Sequence, residues 1–214
     1  MLTPDAPWHP RVEITQLGRH CYEGRESYKI TFGTHTGTHI DTPAHMVPDG
    51  EPRIDKIPLE KLIGRAKLLD IPKEAYTGGE ITIQDIENTG VKIEKGDRLI
   101  LRTGWGKYWL TQTFYDGDAR PFFEPETADW LCEKGITLIG MDMSGPDNRS
   151  KVALKPGVPS PVHWSFLSRG VFIVEYLANL EQITVPEFDL YCLPWKVKDM
   201  DGCPVRCVAI FDEK

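Results

Sequence analysis

No apolar run in this chain exceeds about five residues, far short of the roughly 18 that a membrane-spanning helix needs. The start, Met-Leu-Thr-Pro-Asp, lacks the basic run and apolar core of a secretory leader. Cysteine is sparse and odd in number, five residues with no Cys-x-x-Cys, which fits a reducing compartment better than a disulfide scaffold. There is no excess of basic charge. The formal net charge is −7, and no basic patch is interleaved with aromatics, so nucleic acid and anionic membrane surfaces are excluded as general partners. Repeats, low-complexity tracts and linkers are also missing. What these absences leave is a soluble, cytoplasmic globular protein, read as a single domain over residues 1–214.

The 17 prolines and 19 glycines are spread along the chain and punctuate short elements. Apolar or alternating β-rich runs at 27–32, 66–71, 98–102, 137–141, 171–175, 188–193 and 205–211 read as strands. Helices are expected at 59–63, 125–134 and 162–168. A further one follows Thr82 through Asn88, with Asp85 as its capping-box partner. Strands and helices intermingle, which predicts an α/β domain with a mixed sheet.

Residues 35–45 read His-Thr-Gly-Thr-His-Ile-Asp-Thr-Pro-Ala-His and hold half of the six histidines. The metal-type donors His35, His39, Asp41 and His45 all stand at odd positions, so an extended chain would present them on one face. A helix is excluded because Pro43 would lie in its interior and His39 and Asp41 would diverge. A fully extended strand is excluded too. It would part His35 from His39 by roughly 13 Å at ~3.3 Å per residue, too far for ligands at ~2.0–2.2 Å from one zinc. The chain must therefore bend, and Gly37 permits it. His39 and Asp41 can then reach one metal from the same face, and Pro43 stiffens the turn that returns His45. Imidazole and carboxylate suit zinc, manganese or iron, and three protein ligands leave a position open for water, as a catalytic site requires. Elsewhere His163 opens a helix, and Glu175 ends an apolar strand where a carboxylate calls for a nearby cation.

The segment 35–45 matches His-x-Gly-Thr-His-x-Asp-x-Pro-x-His. It resembles the signature of the cyclase family of metal-dependent hydrolases, which includes bacterial kynurenine formamidase and isatin hydrolase. Leu101-Arg102-Thr103-Gly104-Trp105, Ile139-Gly140-Met141-Asp142, the stretch 175–180 and Leu193-Pro194 followed by Gly202-Cys203-Pro204-Val205-Arg206 extend the likeness along nearly the whole chain. The resemblance implies a swivelling β/β/α fold and a homodimer or homotetramer. It makes His35, His39 and Asp41 ligands of a first metal. Asp41 and Glu175 would bridge to a second metal held by His163. His45 becomes the catalytic acid–base, a role that suits imidazole because it titrates near ambient pH. Trp8 becomes a contact for an aromatic substrate. The implied cofactor is Zn2+, one or two ions per subunit, with Mn2+ as the alternative.

The expected activity is hydrolysis of the C–N bond of a small aromatic or cyclic amide. Arylformamidase action on N-formylkynurenine is the leading reading and isatin-type lactam hydrolysis the second. A non-catalytic metal-binding protein is a reading of a different class, disfavoured because His45 has no evident structural task beyond the three-ligand set. Among the other features, Trp105, Tyr108 and Trp109 read as core packing, with an aromatic wall for a planar substrate as the alternative. The cysteines read as ordinary small residues with no redox role.

Overall fold

The runs at the centre of the chain place apolar residues consecutively rather than in alternation, as in Leu68-Leu69, Leu99-Ile100-Leu101, Leu138-Ile139 and Val171-Phe172-Ile173-Val174, the pattern of strands covered on both faces. In the computed structural model, which describes residues 9–77, 79–148 and 160–212, they form adjacent parallel strands. The strands in chain order are β1 (Glu13–Gly18), β2 (Ser27–Thr31), β3 (His39–Asp41), β4 (Ile63–Asp70), β5 (Glu80–Ile81), β6 (Arg98–Arg102), β7 (Phe122–Phe123), β8 (Leu138–Met141), β9 (Phe172–Glu175), β10 (Glu187–Pro194) and β11 (Gly202–Ile210). The helices are α1 (His20–Glu23), α2 (Leu59–Leu62), α3 (Ile83–Asn88), α4 (Pro125–Glu133) and α5 (Pro161–Ser168).

Strands β4, β6, β8 and β9 run parallel. Strands β3, β11 and β10 continue the sheet antiparallel, and β10 pairs back onto β4. The mixed sheet expected from the sequence is thus present, and it closes into a seven-stranded barrel ordered β10-β11-β3-β9-β8-β6-β4. Closure removes the sheet edges that would otherwise have to be covered. Strand pleating sorts the apolar side chains into two clusters. One fills the barrel with Ile40, Ala66, Ile100, Leu138, Phe172, Val174, Phe188 and Leu190. The other lies between the outer wall and the helices, where Leu99, Leu101, Ile139 and Ile173 meet Ile86, Leu131 and Phe166. Ile40 therefore points into the barrel, and its neighbours His39 and Asp41 point out towards the helical layer.

The helix boundaries follow local chemistry. Thr82 and Asp85 form the expected capping box, each side chain meeting the other's backbone N–H. Pro125 occupies the first turn of α4, and Gly135, at φ 78°, follows its end. Proline likewise opens α5. Five elements fall outside the expected set: β1, α1, the short β3, β5 and β7. Strand β1 pairs only with β2, and the hairpin stands apart from the barrel. Among the described residues, no helix is long and apolar enough to cross a membrane.

Candidate metal centre

The site begins with the register of β3. His39 lies opposite Glu175 on β9, Asp41 opposite Ile173, and on the other side Asp41 faces Gly202 of β11. The two-residue pleat puts His39 and Asp41 side by side on the outer wall, with His39 Nε2 3.3 Å from Asp41 Oδ1 and 3.6 Å from Glu175 Oε2. His39 Nδ1 donates to the Gly37 carbonyl at 2.7 Å. A carbonyl only accepts, so Nδ1 bears hydrogen and Nε2 is the nitrogen turned towards Asp41 and Glu175. Gly37 is in the left-handed region, φ 64°, and supplies the bend that the spacing of His35 and His39 demands.

That bend folds His35 back over Asp41. Its Nδ1 is 2.7 Å from Asp41 Oδ1, and its Nε2 is 2.9 Å from Asp201 Oδ2. After β3 the chain enters a 3-10 turn over Pro43–His45. This turn brings the His45 ring to a centroid distance of 4.0 Å from His35 and 5.9 Å from His163. His163 comes from the first turn of α5. Asp147, in the loop before that helix, accepts from the backbone N–H groups of Val162 and His163 at 2.9 and 3.1 Å. The same carboxylate meets His163 Nδ1 at 2.5 Å. Nε2 of His163 is thereby turned to Glu175 Oε1 at 3.1 Å and Asp41 Oδ2 at 3.8 Å. Arg120 is buried and donates to the carbonyls of Gly145 and Asp147, which fixes the loop that carries Asp147.

Two sets of donor atoms result, each gathered within 4.8 Å: His35, Asp41 and His45, and Asp41, His163 and Glu175. Asp41 belongs to both. Its Oδ2 is buried and has no hydrogen-bond partner among the described residues. A buried carboxylate oxygen without a donor is costly unless a cation faces it. Imidazole and carboxylate donors around such an oxygen fit a zinc- or manganese-type ion. Second carboxylates stand behind His35 and His163, the arrangement that orients imidazole ligands. Of the residues expected from the sequence, His35, His39, Asp41, His45, His163 and Glu175 come together here. Trp8 lies outside the described residues. His45 is within reach of the first donor set, so its position is compatible with ligation as well as with proton transfer.

The electrostatics are those of tightly interleaved opposite charges. Burial opposes charge on His35, but Asp41 and Asp201 outweigh it and raise the imidazole to about 10. Burial likewise opposes His163, and Asp147 with Glu175 raise it to about 10. Asp41 is held well below the usual carboxylate range: burial works against its charge, and His35 and His39 overcome it. Hydrogen bonds from His35 and His45 depress Asp201. Without metal, His35 and His163 are therefore imidazolium ions at pH 7, and a metal must displace their protons. Calorimetric titration of zinc at pH 7, in buffers of different ionisation enthalpy, is expected to show release of about two protons as both sets fill. The sign for metal-free stability follows from the same shift. Folded pKa values near 10 against 6.5 unfolded give stability that is complete below pH 6.5 and fades as pH rises towards 10.

Gly202 sets a steric limit on His35. A Cβ there would lie 2.7 Å from His35 Cε1 and 3.1 Å from the Ile40 carbonyl. Gly202→Ala is expected to push the ring off Asp41 and weaken metal binding by about 10–100-fold, read by titration with a competing chelator.

Beside the donors lies a cavity of about 910 Å³, walled by Thr36–Thr38, Trp109, Phe114, Tyr176 and Trp195. The Tyr176 ring is 5.7 Å from His39. The cations at its margin are engaged: Arg102 forks onto Asp70 at 2.8 Å, and Lys107 meets Glu74 at 2.6 Å. Trp105, by contrast, is fully buried in the outer cluster, as core packing requires.

Sequence reasoning missed Asp147, Arg120 and Asp201. Asp201 directly precedes a motif-like stretch but carries no spacing signal of its own. Asp147 follows the Ser144-Gly145-Pro146 turn without any local cue to its partner.

A mixed barrel whose outer wall gathers shared carboxylates and imidazoles around an undonated oxygen has the donor set that a metal-dependent hydrolase requires. The Cyclase family model matches residues 2–148. Kynurenine formamidase of Bacillus mycoides (strain KBAB4) is 31% identical over 180 residues, which is 84% of this chain and 78% of that protein. The structure of isatin hydrolase A from Labrenzia aggregata bound to benzyl benzoate matches with a TM-score of 0.82 and 26% identity, covering 98% of this chain and 86% of that one. A structure described as a potential metal-dependent hydrolase with cyclase activity matches with a TM-score of 0.70 and 27% identity, over 92% and 86% of the two chains. The chain belongs to the cyclase family, and it is a hydrolytic enzyme of that family.

Proposed function

We propose that this enzyme hydrolyses the C–N bond of a small aromatic amide, with N-formylkynurenine as substrate and zinc, one or two ions per subunit, as cofactor. The observation that carries the reading is the undonated Asp41 oxygen shared by two imidazole and carboxylate donor sets. The likeness to kynurenine formamidase supports the substrate. His35, His39 and Asp41 would hold the first ion, with Asp41, His163 and Glu175 holding the second. Bound there, the metal supplies acidity to water and polarises a carbonyl. The protein supplies the rest. His45, a quarter exposed, exchanges protons with solvent and protonates the leaving nitrogen. Water adds to the formyl carbon, the C–N bond breaks, and the products are formate and an arylamine. An anilide nitrogen leaves more readily than an alkyl amine.

Isatin is the second substrate reading, supported by the likeness to isatin hydrolase A over almost the whole chain. In that reading the same residues open a lactam, and manganese is the alternative ion. The deciding experiment follows absorbance with each substrate for protein as isolated, after chelation, and after zinc or manganese is restored. Metal-dependent release of kynurenine supports the formamidase reading. Turnover of isatin alone replaces it. Bound metal with neither activity removes both substrates and leaves the donor set.

We further propose a cytosolic homodimer or homotetramer; the five free cysteines agree with a reducing compartment. A lone two-stranded hairpin is marginal in water. On β1 and β2, Ile14, Tyr28 and Ile30 share one face and are 53, 51 and 52% exposed. Light scattering after gel filtration is expected to give at least twice the 24.3 kDa chain mass, and Ile14→Lys with Ile30→Lys to lower it.

A further inference from the structure

One oxygen of Asp201 faces two histidines. Oδ2 is 2.9 Å from His35 Nε2 and 3.3 Å from His45 Nδ1. The two rings are tilted by 39° at a centroid distance of 4.0 Å, so they converge on that oxygen from adjacent directions. The carboxylate is not free to wander. The Asp201 carbonyl accepts from both the Thr42 backbone N–H, at 3.0 Å, and the Thr42 hydroxyl, at 2.8 Å. The next residue, Gly202, pairs with Asp41 across the β3–β11 ladder. Asp201 is thus tied to the strand that carries Asp41 and to the residue before the turn that carries His45.

We propose that Asp201 is a positioning residue that holds His45 in its Nδ1–H tautomer, leaving Nε2 to carry the proton, while the same carboxylate fixes the ring of His35. A carboxylate accepts hydrogen bonds and does not donate them, so the Nδ1 that faces it must bear hydrogen. In neutral imidazole the remaining nitrogen then has the lone pair, and that atom can take and return a proton. The arrangement couples two tasks. Anything that turns Asp201 disturbs both a metal donor and the proton carrier. The role of the proton carrier rests on the acid–base reading of His45; the tautomer does not.

Asp201→Asn tests this. The asparagine amide can present N–H groups to Nδ1, which favours the opposite tautomer with hydrogen on Nε2. The readout independent of turnover is long-range ¹H–¹⁵N NMR of the histidine side chains in the zinc-loaded protein, with His45 assigned by the His45→Ala variant. Wild type is expected to show His45 protonated on Nδ1, and Asp201→Asn to show it protonated on Nε2. In kinetics at saturating zinc, kcat is expected to fall about 10²–10⁴-fold with KM within about threefold. Asp201→Glu, which keeps an acceptor, should restore the Nδ1–H tautomer and part of kcat.

An unchanged His45 tautomer in Asp201→Asn, or a tautomer on Nε2 in wild type, overturns the proposal. So does full recovery of kcat in Asp201→Asn once zinc is saturating, because the effect is then on metal binding alone. If His45→Ala proves fully active, the acid–base reading of His45 fails, and the NMR result still decides for or against Asp201. If Asp201→Asn does not fold, Asp201→Glu and the wild-type spectrum carry the same decision.

Discussion

Asp41→Asn is expected to abolish metal binding at both donor sets and to cut turnover by at least about 10³-fold. The substitution is nearly isosteric, so packing around a fully buried side chain is conserved. Its chemistry is reversed. The carboxylate now meets His35 Nδ1 at 2.7 Å and His39 Nε2 at 3.3 Å, and offers an undonated oxygen 3.8 Å from His163. An amide places at least one N–H among these groups and brings no charge to balance a dication. His35→Ala, His39→Ala, His163→Ala or Glu175→Gln each leave one donor set or most of two. Only position 41 is common to both. Elemental analysis of the purified variant checks this, with circular dichroism to show that it is folded. Stoichiometric metal in Asp41→Asn would mean that Asp41 is not the shared ligand. The variant should also lose an acid-sensitive part of metal-free stability. A carboxyl held below its unfolded value of 3.8 stabilises above that pH, and the contribution fades as pH falls further.

How much of this arrangement could be read from the sequence depends on whether its cause is local. Helix α3 was legible because Thr82 and Asp85 satisfy each other's backbone within one turn. Strand β6 was legible to the residue, since Arg98 and Arg102 bracket an apolar triplet. The bend at Gly37 followed from reach alone: a strand could not bring His35 and His39 to one ion. Strand β3 is different. Three residues hardly make a periodic signal, and they are extended because β9 and β11 supply hydrogen bonds from both sides. Barrel closure has the same character, since it depends on β10 meeting β4 in a register that no short window contains. The residues behind the ligands were the least legible. Asp201 and His35 are 166 positions apart, and Asp147 reaches His163 across 16. Each is an unremarkable acid in its own surroundings and acquires meaning only from the ring it faces. The ligands could be found because a metal demands donor types at a spacing. Their supports could not, because nothing in the sequence restricts where in the chain a carboxylate behind an imidazole comes from.

His45→Ala should lower kcat by about 10²–10⁴-fold while zinc content stays close to wild type. His39 and Asp41 stand on a strand fixed by neighbours on both sides, whereas His45 stands on a 3-10 turn and is 25% exposed against 1% for His39. A ligand gains from rigidity and burial; a proton carrier gains from contact with water through which it resets. The donor sets give the same division. Without His45, the first set keeps His35 and Asp41, and His39 still offers Nε2 beside the same carboxylate at 3.3 Å. Three donors therefore remain, enough to hold zinc with a position open. Without His45, no imidazole in the group is left for proton transfer, because His35, His39 and His163 each face two acceptors. Metal content and turnover measured on the same preparation separate the alternatives. If both collapse together, His45 is a ligand and the proton comes from another group. If turnover falls alone, it is the acid–base, and substrates with more acidic leaving amines should lose less in the variant, since they need the proton least.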